Sequence, residues 1–395
     1  MKKEKVLRVL LAPVHYRLED GGSEMGWGFA YAKYLRLSKQ VVVSIITGSV
    51  TNEIPEGLGG EILPLYTEKF PVTIAATSKF HFDIWKRGRA LLKDTDILHH
   101  FLPFGKGRTV SPLILSRAAR GLKIVVGPIG ATPTWGGPPT LLEKLLLPVL
   151  NYFSLLTLKK ADAIVVLEET TKAELAAKIG RGDHIHVIPP GIDLTRYTAT
   201  VRKWKQGEAL ELLSVGHLLP HKGGYIAAQA VRQLLDQGLK VRLHLLGDGP
   251  DREKIKAYIR EQGLEDSVIL HGRVAPSEVD AYYRQAHLYV AMSSFESWGQ
   301  ASYLEALASG LPLVTFVNEG AAVIMQDAVS GYRVPKRTPE SLASVVATIM
   351  SAPELITAMS KEARKLGETN YDWSTVLVPH YLTLYQSLVS DTYGK

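Results

Sequence analysis

Short apolar runs alternate with longer segments of helical periodicity along most of this chain. The run Val41–Thr47 is built largely from β-branched residues, as a strand buried on both faces of a sheet requires, and Val241–Leu246 predicts a further strand. Residues 225–235 and 252–262 instead repeat apolar positions every three or four residues, which is typical of amphipathic helices. Strands and helices that alternate through short links predict parallel sheets covered by helices on both faces.

Residues 288–314 are the most informative stretch of this alternating pattern. Their sequence predicts a strand, then a loop, then a helix. Leu288–Ala291 is a short apolar run, and Ala301–Ala308 repeats apolar positions at helical spacing before Gly310 and Pro312 end the helix. In a doubly wound sheet the loop after a strand lies at the ligand edge, where the free N–H groups of the next helix favour an anion. The residues in that place are Ser297, Trp298, Gly299 and Gln300.

The bulk composition is that of a globular protein with more than one domain. A chain of 395 residues exceeds the size at which one core usually keeps growing, so we expect two domains. A hydrophobic content of 46% with 22% charged residues argues against disorder. The absence of cysteine excludes disulfides and thiolate metal sites and is consistent with a reducing compartment. Residues 1–14 contain Arg8 within their apolar run and no small-residue cleavage site, so they predict a first strand and not a signal peptide.

Positive charge is concentrated in the first half of the chain. The formal net charge is +7, and residues up to Asp193 carry all of it, because acidic and basic side chains balance from Arg196 onward. A positively charged half of this kind attracts an anionic lipid surface or an acidic substrate. The alternative, which the sequence supports equally, is that the charge only keeps the protein soluble. No nucleic-acid-binding motif accompanies the charge, so nucleic acid is not an expected partner.

The run F-E-S-W-G-Q-A-S-Y-L-E-A-L-A-S-G-L-P resembles the signature of family 4 retaining glycosyltransferases. In that family two glutamates bracket an aromatic-glycine pair. The resemblance implies that Glu296 contacts the donor sugar and Glu305 the nucleotide ribose. The family pattern has seven residues between the glutamates, whereas residues 297–304 make eight here, so Glu305 is the firmer assignment. The alternative is that neither residue binds the donor, so that Glu296 is a solvated loop carboxylate and Glu305 lies on a helix surface.

A second match to the family lies between a predicted strand and a predicted helix. Residues 216–223 read G-H-L-L-P-H-K-G, where the family has G-R-L-x-x-x-K-G. The resemblance implies that Lys222 neutralises the diphosphate leaving group. His217 stands in place of the family arginine and offers one hydrogen bond instead of a bidentate charged contact. An ordinary surface lysine at a helix start is the alternative for Lys222.

Three further positions are assigned to the donor by resemblance. Gly22 belongs to a glycine-rich loop after the first strand, and the corresponding family loop faces the donor phosphates. Arg273 and Val274 follow a predicted strand at the place where the family backbone meets the nucleobase. The G-D-G-P sequence at 247–250 lacks the third glycine of a dinucleotide fingerprint and predicts a structural turn.

Two adjacent histidines end the predicted strand at 96–101. The family often shows D-V-V-H-x-H here, with a histidine at the donor sugar. His99 fits the first histidine position, while Phe101 stands where the second would be. Either His99 or His100 could serve, and a structural histidine at a strand end is the alternative.

The resemblance covers nearly the whole chain and implies a domain plan. The sequence V-I-P-P-G-I-D at 187–193 resembles the family's V-I-P-N-G-V-D, which ends the first domain. We therefore predict an α/β protein of the GT-B fold, with two Rossmann-like doubly wound domains facing each other across a cleft. Residues 1–194 form an acceptor-binding domain, residues 195–372 a donor-binding domain, and residues 373–395 a helix that crosses back to the first domain.

The implied function is retaining transfer of a sugar from a UDP-, GDP- or ADP-sugar to a glycan, lipid-linked or small-molecule acceptor. The sequence lacks a metal-ligand signature, so we expect a metal-independent reaction without a cofactor. A phosphorylase or nucleotide-sugar epimerase on the same fold is one alternative. A catalytically silent module that binds nucleotide sugars is another.

We expect a cytoplasmic location. Peripheral contact with the inner face of the membrane is a further possibility that the sequence leaves open. The apolar segment 141–158 is interrupted by charged residues and proline, which predicts a buried or cleft-lining helix, or one that inserts shallowly into the interface. The basic first half, with Lys86, Arg87 and Arg89 among its clusters, could contact anionic lipid.

Overall fold

A computed structural model describes residues 6–12, 17–18, 24–50, 61–66, 82–100, 122–129, 148, 152, 154–294, 301–316 and 324–393. The chain divides into two compact units. The first unit comprises Met1–Gly191 and Trp373–Lys395, and the second comprises Ile192–Asp372.

The first unit is built on a seven-stranded sheet whose strand pairs are all parallel. The described strands of the first unit, seven in this sheet and two in a separate pair, are β1 (Leu7–Leu11), β2 (Arg17–Leu18), β3 (Val41–Thr47), β4 (Ser49–Val50), β5 (Ile62–Pro64), β6 (Ile97–His100), β7 (Lys123–Ile129), β8 (Ala163–Val166) and β9 (Ile185–Val187). The sheet order is β5-β3-β1-β6-β7-β8-β9, while β2 and β4 form a separate parallel pair. The order of strands reverses between β1 and β6, where Leu11 lies beside His99.

Helices of the first unit include α1 (Glu24–Leu37) and α2 (Glu169–Ile179), with further helical residues at 82–88 and 154–160. Helix α2 ends at Gly180, which adopts the left-handed conformation (φ 80°) that glycine reaches without strain. The core beneath these helices contains fully buried branched side chains from neighbouring strands, among them Ile46, Leu98 and Ile164.

The second unit has a six-stranded parallel sheet with the order β12-β11-β10-β13-β14-β15. These strands are β10 (Leu210–Val215), β11 (Val241–Leu246), β12 (Val268–Gly272), β13 (Leu288–Ala291), β14 (Leu313–Phe316) and β15 (Gly331–Val334). Helices described in this unit include α3 (Gly224–Asp236), α4 (Arg252–Glu261), α5 (Val279–Gln285), α6 (Ala301–Ala308), α7 (Pro339–Ser351) and α8 (Pro353–Asn370). Separate apolar clusters lie around Leu243 and Leu213, as a sheet covered on both faces requires. The switch point of this sheet lies between β10 and β13.

Residues 373–395 belong to the first unit, where a π-helical turn (Trp373–Leu377) leads into α9 (Val378–Tyr393). Trp373 packs directly against Gly191, since a Cβ atom at Gly191 would lie 2.6 Å from Cδ2 of the indole. The two ends of the second unit are joined to each other, because Ile192 N donates to Tyr371 O at 2.7 Å.

Several elements have the bounds that the hydrophobic pattern predicts, namely Val41–Thr47, Val241–Leu246, Leu288–Ala291 and Ala301–Ala308. The pattern did not predict α7 and α8. The buried face of α8 includes Ser360 and Gly367 beside Ile356, Met359 and Leu366, and these small or polar residues weaken the apolar repeat.

Of the apolar segment 141–158, the structure describes residues 148, 152 and 154–158. Within the described ranges, no helix taken singly combines the length and the apolar character that crossing a membrane needs. Helices α7 and α8, bent by 101° where they meet, pass that test of length and composition only as a pair.

Candidate functional site

Two loops meet at the switch point of the second unit. One follows β10 and runs from Gly216 to Gly223, and the other begins at Met292 after β13. The strands pair with Leu212 opposite Leu288 and Leu213 opposite Tyr289, so both loops leave the carboxyl edge of the sheet side by side. This is the edge at which open α/β sheets bind ligands.

The contacts between these loops place Lys222 at the switch point. Ser294 N donates to His221 O at 2.8 Å, and Lys222 N donates to Leu219 O at 2.9 Å within the turn. Gly223 has φ 78° and immediately precedes α3, and any Cβ there would clash with the backbone oxygen of Met292. Glycine is therefore needed both for the backbone conformation and for the close approach of the second loop.

The electrostatic character of this loop is basic. Burial lowers the pKa of the His221 imidazole, and the charges of Lys222 and Arg337 lower it further. His221 is therefore neutral near pH 7, and the positive charge comes from its two neighbours. His217 is exposed in the same loop, whereas Lys222 is half-buried. A cation at the start of a helix, on the carboxyl edge of a sheet, can stabilise a phosphate.

Arg337 is a component of this region that sequence reasoning missed. Its Nε donates to Met292 O at 2.7 Å, and its Nη2 donates to Pro220 O at 2.8 Å. It precedes Thr338, whose side chain caps α7, so its local sequence indicates only a helix start. Its two acceptors are backbone carbonyls, which no sequence pattern marks.

The G-D-G-P turn packs beneath the Lys222 loop, in agreement with the structural role predicted for it. A Cβ at Gly247 would clash with the backbone oxygen of Gly216, and one at Gly249 would lie 2.5 Å from Leu218 O. Gly247 N also donates to Gly272 O at 2.7 Å. The loops after β10, β11 and β12 are thus stacked, and the last leads directly to Arg273, which is exposed, and Val274, which is half-buried.

Glu305 lies on α6 and is buried, with 5% of its surface exposed, so it is not a helix-surface carboxylate. The hydroxyl of Tyr283 donates to its Oε2 at 2.8 Å, and Tyr197 also hydrogen-bonds to it. Burial raises the pKa of Glu305, and these two hydrogen bonds and the charge of Arg196 oppose the shift. The carboxylate is thereby fixed in one orientation, and its contact with a ribose stays a prediction.

Hydrogen bonds through Tyr283, Ser302 and Tyr289 link Glu305 to the switch point. The Tyr283 hydroxyl lies 3.1 Å from Ser302 O as well as contacting the carboxylate. The hydroxyl of Ser302 lies 2.8 Å from that of Tyr289, which in turn lies 3.1 Å from Val215 O. Val215 is the last residue of β10, so Glu305 and the Lys222 loop are anchored to the same strand end.

The two adjacent histidines that end β6 are fully buried. His99 and His100 each have 0% of their surface exposed. His99 Nδ1 lies 2.5 Å from the hydroxyl of Tyr385 on α9 and 3.2 Å from that of Tyr31, and the two hydroxyls are in contact. Burial lowers the pKa of His99 to about 3, so the ring is neutral at physiological pH. These contacts are those of a packed core histidine, and action of either residue on the donor stays a prediction.

Five predicted site residues lie outside the described ranges, namely Gly22, Glu296, Trp298, Gly299 and Gln300. Of the predicted residues that are described, the second unit brings together Lys222 and His217 in one loop, with Glu305 anchored to the same strand end. Within the described part of the chain, no group of three or more His, Cys, Asp or Glu side chains is arranged to hold a metal ion.

Solved structures support the fold class over the length of the chain. The sucrose-phosphate synthase of Thermosynechococcus elongatus matches with a TM-score of 0.72 at 16% identity, covering 98% of this chain and 100% of that one. Anabaena Alr3699/HepE, solved in complex with UDP-glucose, matches with a TM-score of 0.62 at 15% identity, covering 98% and 100%. The predicted α/β, GT-B fold class is confirmed.

Curated relatives are similar over part of their length. The putative colanic acid biosynthesis glycosyltransferase WcaL of Salmonella typhimurium is 29% identical over 194 residues, which are 48% of each chain. The GDP-mannose-dependent alpha-(1-6)-phosphatidylinositol monomannoside mannosyltransferase of Mycobacterium tuberculosis is 24% identical over 228 residues, 54% of this chain and 59% of the relative. The chain thus spans about half the length of these relatives.

Two family models match consecutive parts of the chain. Residues 31–196 match the model described as Glycosyltransferase Family 4, and residues 200–366 match the model described as Glycosyl transferases group 1. The first match lies mainly in the first unit and the second match within the second unit. Together they take in most of the sequence, and the chain therefore belongs to the family 4, group 1 glycosyltransferases.

Proposed function

We propose that this protein is a retaining glycosyltransferase that moves a sugar from a nucleotide-diphosphate sugar to an acceptor. The main observation behind this proposal is that hydrogen bonds hold the Lys222 loop against the loop after β13, at the switch point of the second sheet. Membership of the family supplies the reaction class, and the basic loop supplies a site for the diphosphate.

In this mechanism the protein acts mainly through charge. As the bond between the sugar and the diphosphate breaks, negative charge grows on the departing diphosphate. The ammonium group of Lys222 and the backbone N–H groups that begin α3 would stabilise that charge. Glu305 would accept hydrogen bonds from the ribose, the backbone at Arg273 and Val274 would meet the base, and Glu296 would contact the sugar.

The donor can be found by screening UDP, GDP and ADP and their sugars in thermal unfolding. A nucleotide at about 100 times its dissociation constant should stabilise the protein by about 2.7 kcal/mol. Release of free nucleoside diphosphate should then depend on an added acceptor. Failure of every nucleotide to bind at millimolar concentration would refute the proposed function. Formation of a sugar 1-phosphate from a glycan and added inorganic phosphate would instead favour a phosphorylase, and epimerisation of the donor sugar would favour an epimerase.

We further propose that the acceptor is lipid-linked and that the enzyme binds it at an anionic, cytoplasmic membrane face. Two features of the first unit support this. The helical residues 82–88 present Phe82, 55% exposed, with its ring 5.9 Å from that of Trp85. The guanidinium of Arg89 stacks 5.0 Å from the Trp85 ring, and Lys86 is exposed beside it. Aromatic rings flanked by cations fit the boundary between lipid head groups and acyl chains.

Co-sedimentation with vesicles tests the membrane proposal. Binding should rise with anionic lipid content and fall with salt, because each basic side chain near the surface contributes about 1 kcal/mol over a Debye length of about 8 Å. The double variant Lys86→Glu, Arg89→Glu should bind far less. The matched control Lys256→Glu, Lys361→Glu reverses the same number of exposed charges in the second unit and should bind like the wild type. Equal binding to neutral and anionic vesicles would contradict the proposal.

A further inference from the structure

Arg337 joins two loops that carry different parts of the candidate site. It lies between β15 and α7 and is half-buried. Its Nη2 reaches Pro220 O, two residues before Lys222, and its Nε reaches Met292 O, directly after β13. The residues that follow Met292 lead to Glu296. A single planar guanidinium thus bonds to both loops at distances of 2.7 and 2.8 Å.

The arrangement around Arg337 limits how the loops can move. Ser294 N donates to His221 O at 2.8 Å, which is a second link between the same two loops. Glycine at position 223 lets the backbone of Met292 come into direct contact with the helix start. An arginine fork fixes both of its acceptors in one plane, whereas a lysine ammonium offers no such fixed geometry.

We propose that Arg337 is a positioning residue, which clamps the Lys222 loop to the loop after β13 and so sets the place of the Lys222 ammonium at the donor diphosphate. The proposal rests on the proposed function for the role of Lys222. Arg337 acts through two backbone carbonyls and not by touching the reacting atoms. A purely structural role, as part of the start of α7, would affect overall stability without any preference for the diphosphate.

The first test measures the clamp without any nucleotide. Hydrogen exchange followed by mass spectrometry should show faster exchange in the peptides that contain residues 216–222 and 292–294 of Arg337→Ala than in the wild type. Lys336→Ala removes the neighbouring exposed charge and serves as the matched control, with exchange expected at the wild-type rate. Unchanged exchange of both loops in Arg337→Ala would overturn the proposal.

The second test measures affinity by calorimetry for the nucleoside monophosphate and diphosphate of the preferred base. Arg337→Ala should weaken diphosphate binding at least about tenfold and monophosphate binding much less. Added methylguanidine should restore part of the lost affinity, and Arg337→Lys should fall between the wild type and Arg337→Ala. Equal losses for the two nucleotides, with a lowered melting temperature, would identify a structural role and overturn the proposal.

The two proposals can fail separately. If the wild type binds no nucleotide diphosphate, the proposed function is refuted, and hydrogen exchange alone then decides whether Arg337 clamps the loops. If the wild type binds and Arg337→Ala binds equally well, the proposed function stands and the positioning role is refuted.

Discussion

Replacement of Lys222 by alanine should lower turnover by about 10²–10³-fold, which is the usual effect of removing one group that stabilises developing negative charge. The loop geometry explains the expectation, because hydrogen bonds and close glycine packing hold this lysine at the switch point. Release of nucleoside diphosphate from the preferred donor, measured at saturating acceptor, gives the turnover. Lys222→Arg keeps the charge and should lose much less.

The control for Lys222 is Lys240→Ala. Lys240 is exposed and immediately precedes β11, so it lies at the amino edge of the same sheet, opposite the candidate site. Its removal takes away one positive charge from the second unit and should leave turnover unchanged. Wild-type turnover in Lys222→Ala would place the diphosphate somewhere other than this loop.

Replacement of Glu305 should weaken binding of the nucleoside diphosphate even without the sugar. A carboxylate paired with ribose hydroxyls contributes on the order of 1.5–3 kcal/mol, or about 10- to 100-fold in affinity. Because Glu305 is buried between two tyrosines, Glu305→Ala also opens a cavity. Glu305→Gln keeps the volume and one acceptor oxygen, so it separates the loss of charge from the loss of packing.

Calorimetry with a nucleotide that lacks the ribose 2′ and 3′ hydroxyls completes the Glu305 test. The wild type should bind this analogue more weakly than the natural nucleotide, whereas Glu305→Ala should bind the two alike, as a double-mutant cycle requires for interacting partners. Tyr283→Phe removes the hydroxyl that bonds the carboxylate and should change affinity less than Glu305→Ala. Undiminished discrimination in Glu305→Ala would remove this residue from the ribose site.

Local signals were sufficient to predict much of the second sheet. Val241–Leu246 alternates apolar and polar side chains before Gly247, Leu288–Ala291 is a short apolar run, and Gly310 with Pro312 marks the end of α6. The same reasoning placed Lys222 between a strand and a helix, which is enough to bring it to the carboxyl edge. Helices α7 and α8 could not be found this way, because part of the buried face of α8 consists of small or polar residues.

Contacts between residues far apart in the chain could not be predicted from the sequence. Arg337 bonds to backbone carbonyls 45 and 117 residues away, and a carbonyl has no residue type that a motif could mark. The burial of His99 depends on Tyr31 and Tyr385, which are 68 and 286 residues distant. The strand-end position of His99 was therefore predictable, while its enclosure by aromatic side chains was not.

The first unit is discontinuous in sequence, and this affects how the protein is made. Its strands are synthesised first, yet Trp373, Tyr381 and Tyr385, which enclose His99 and Gly191, leave the ribosome only after all of residues 192–372. The second unit is continuous, and its two ends are paired with each other. Since domains generally fold as units during synthesis, the later unit can complete its fold while the earlier one still exposes apolar surface to chaperones.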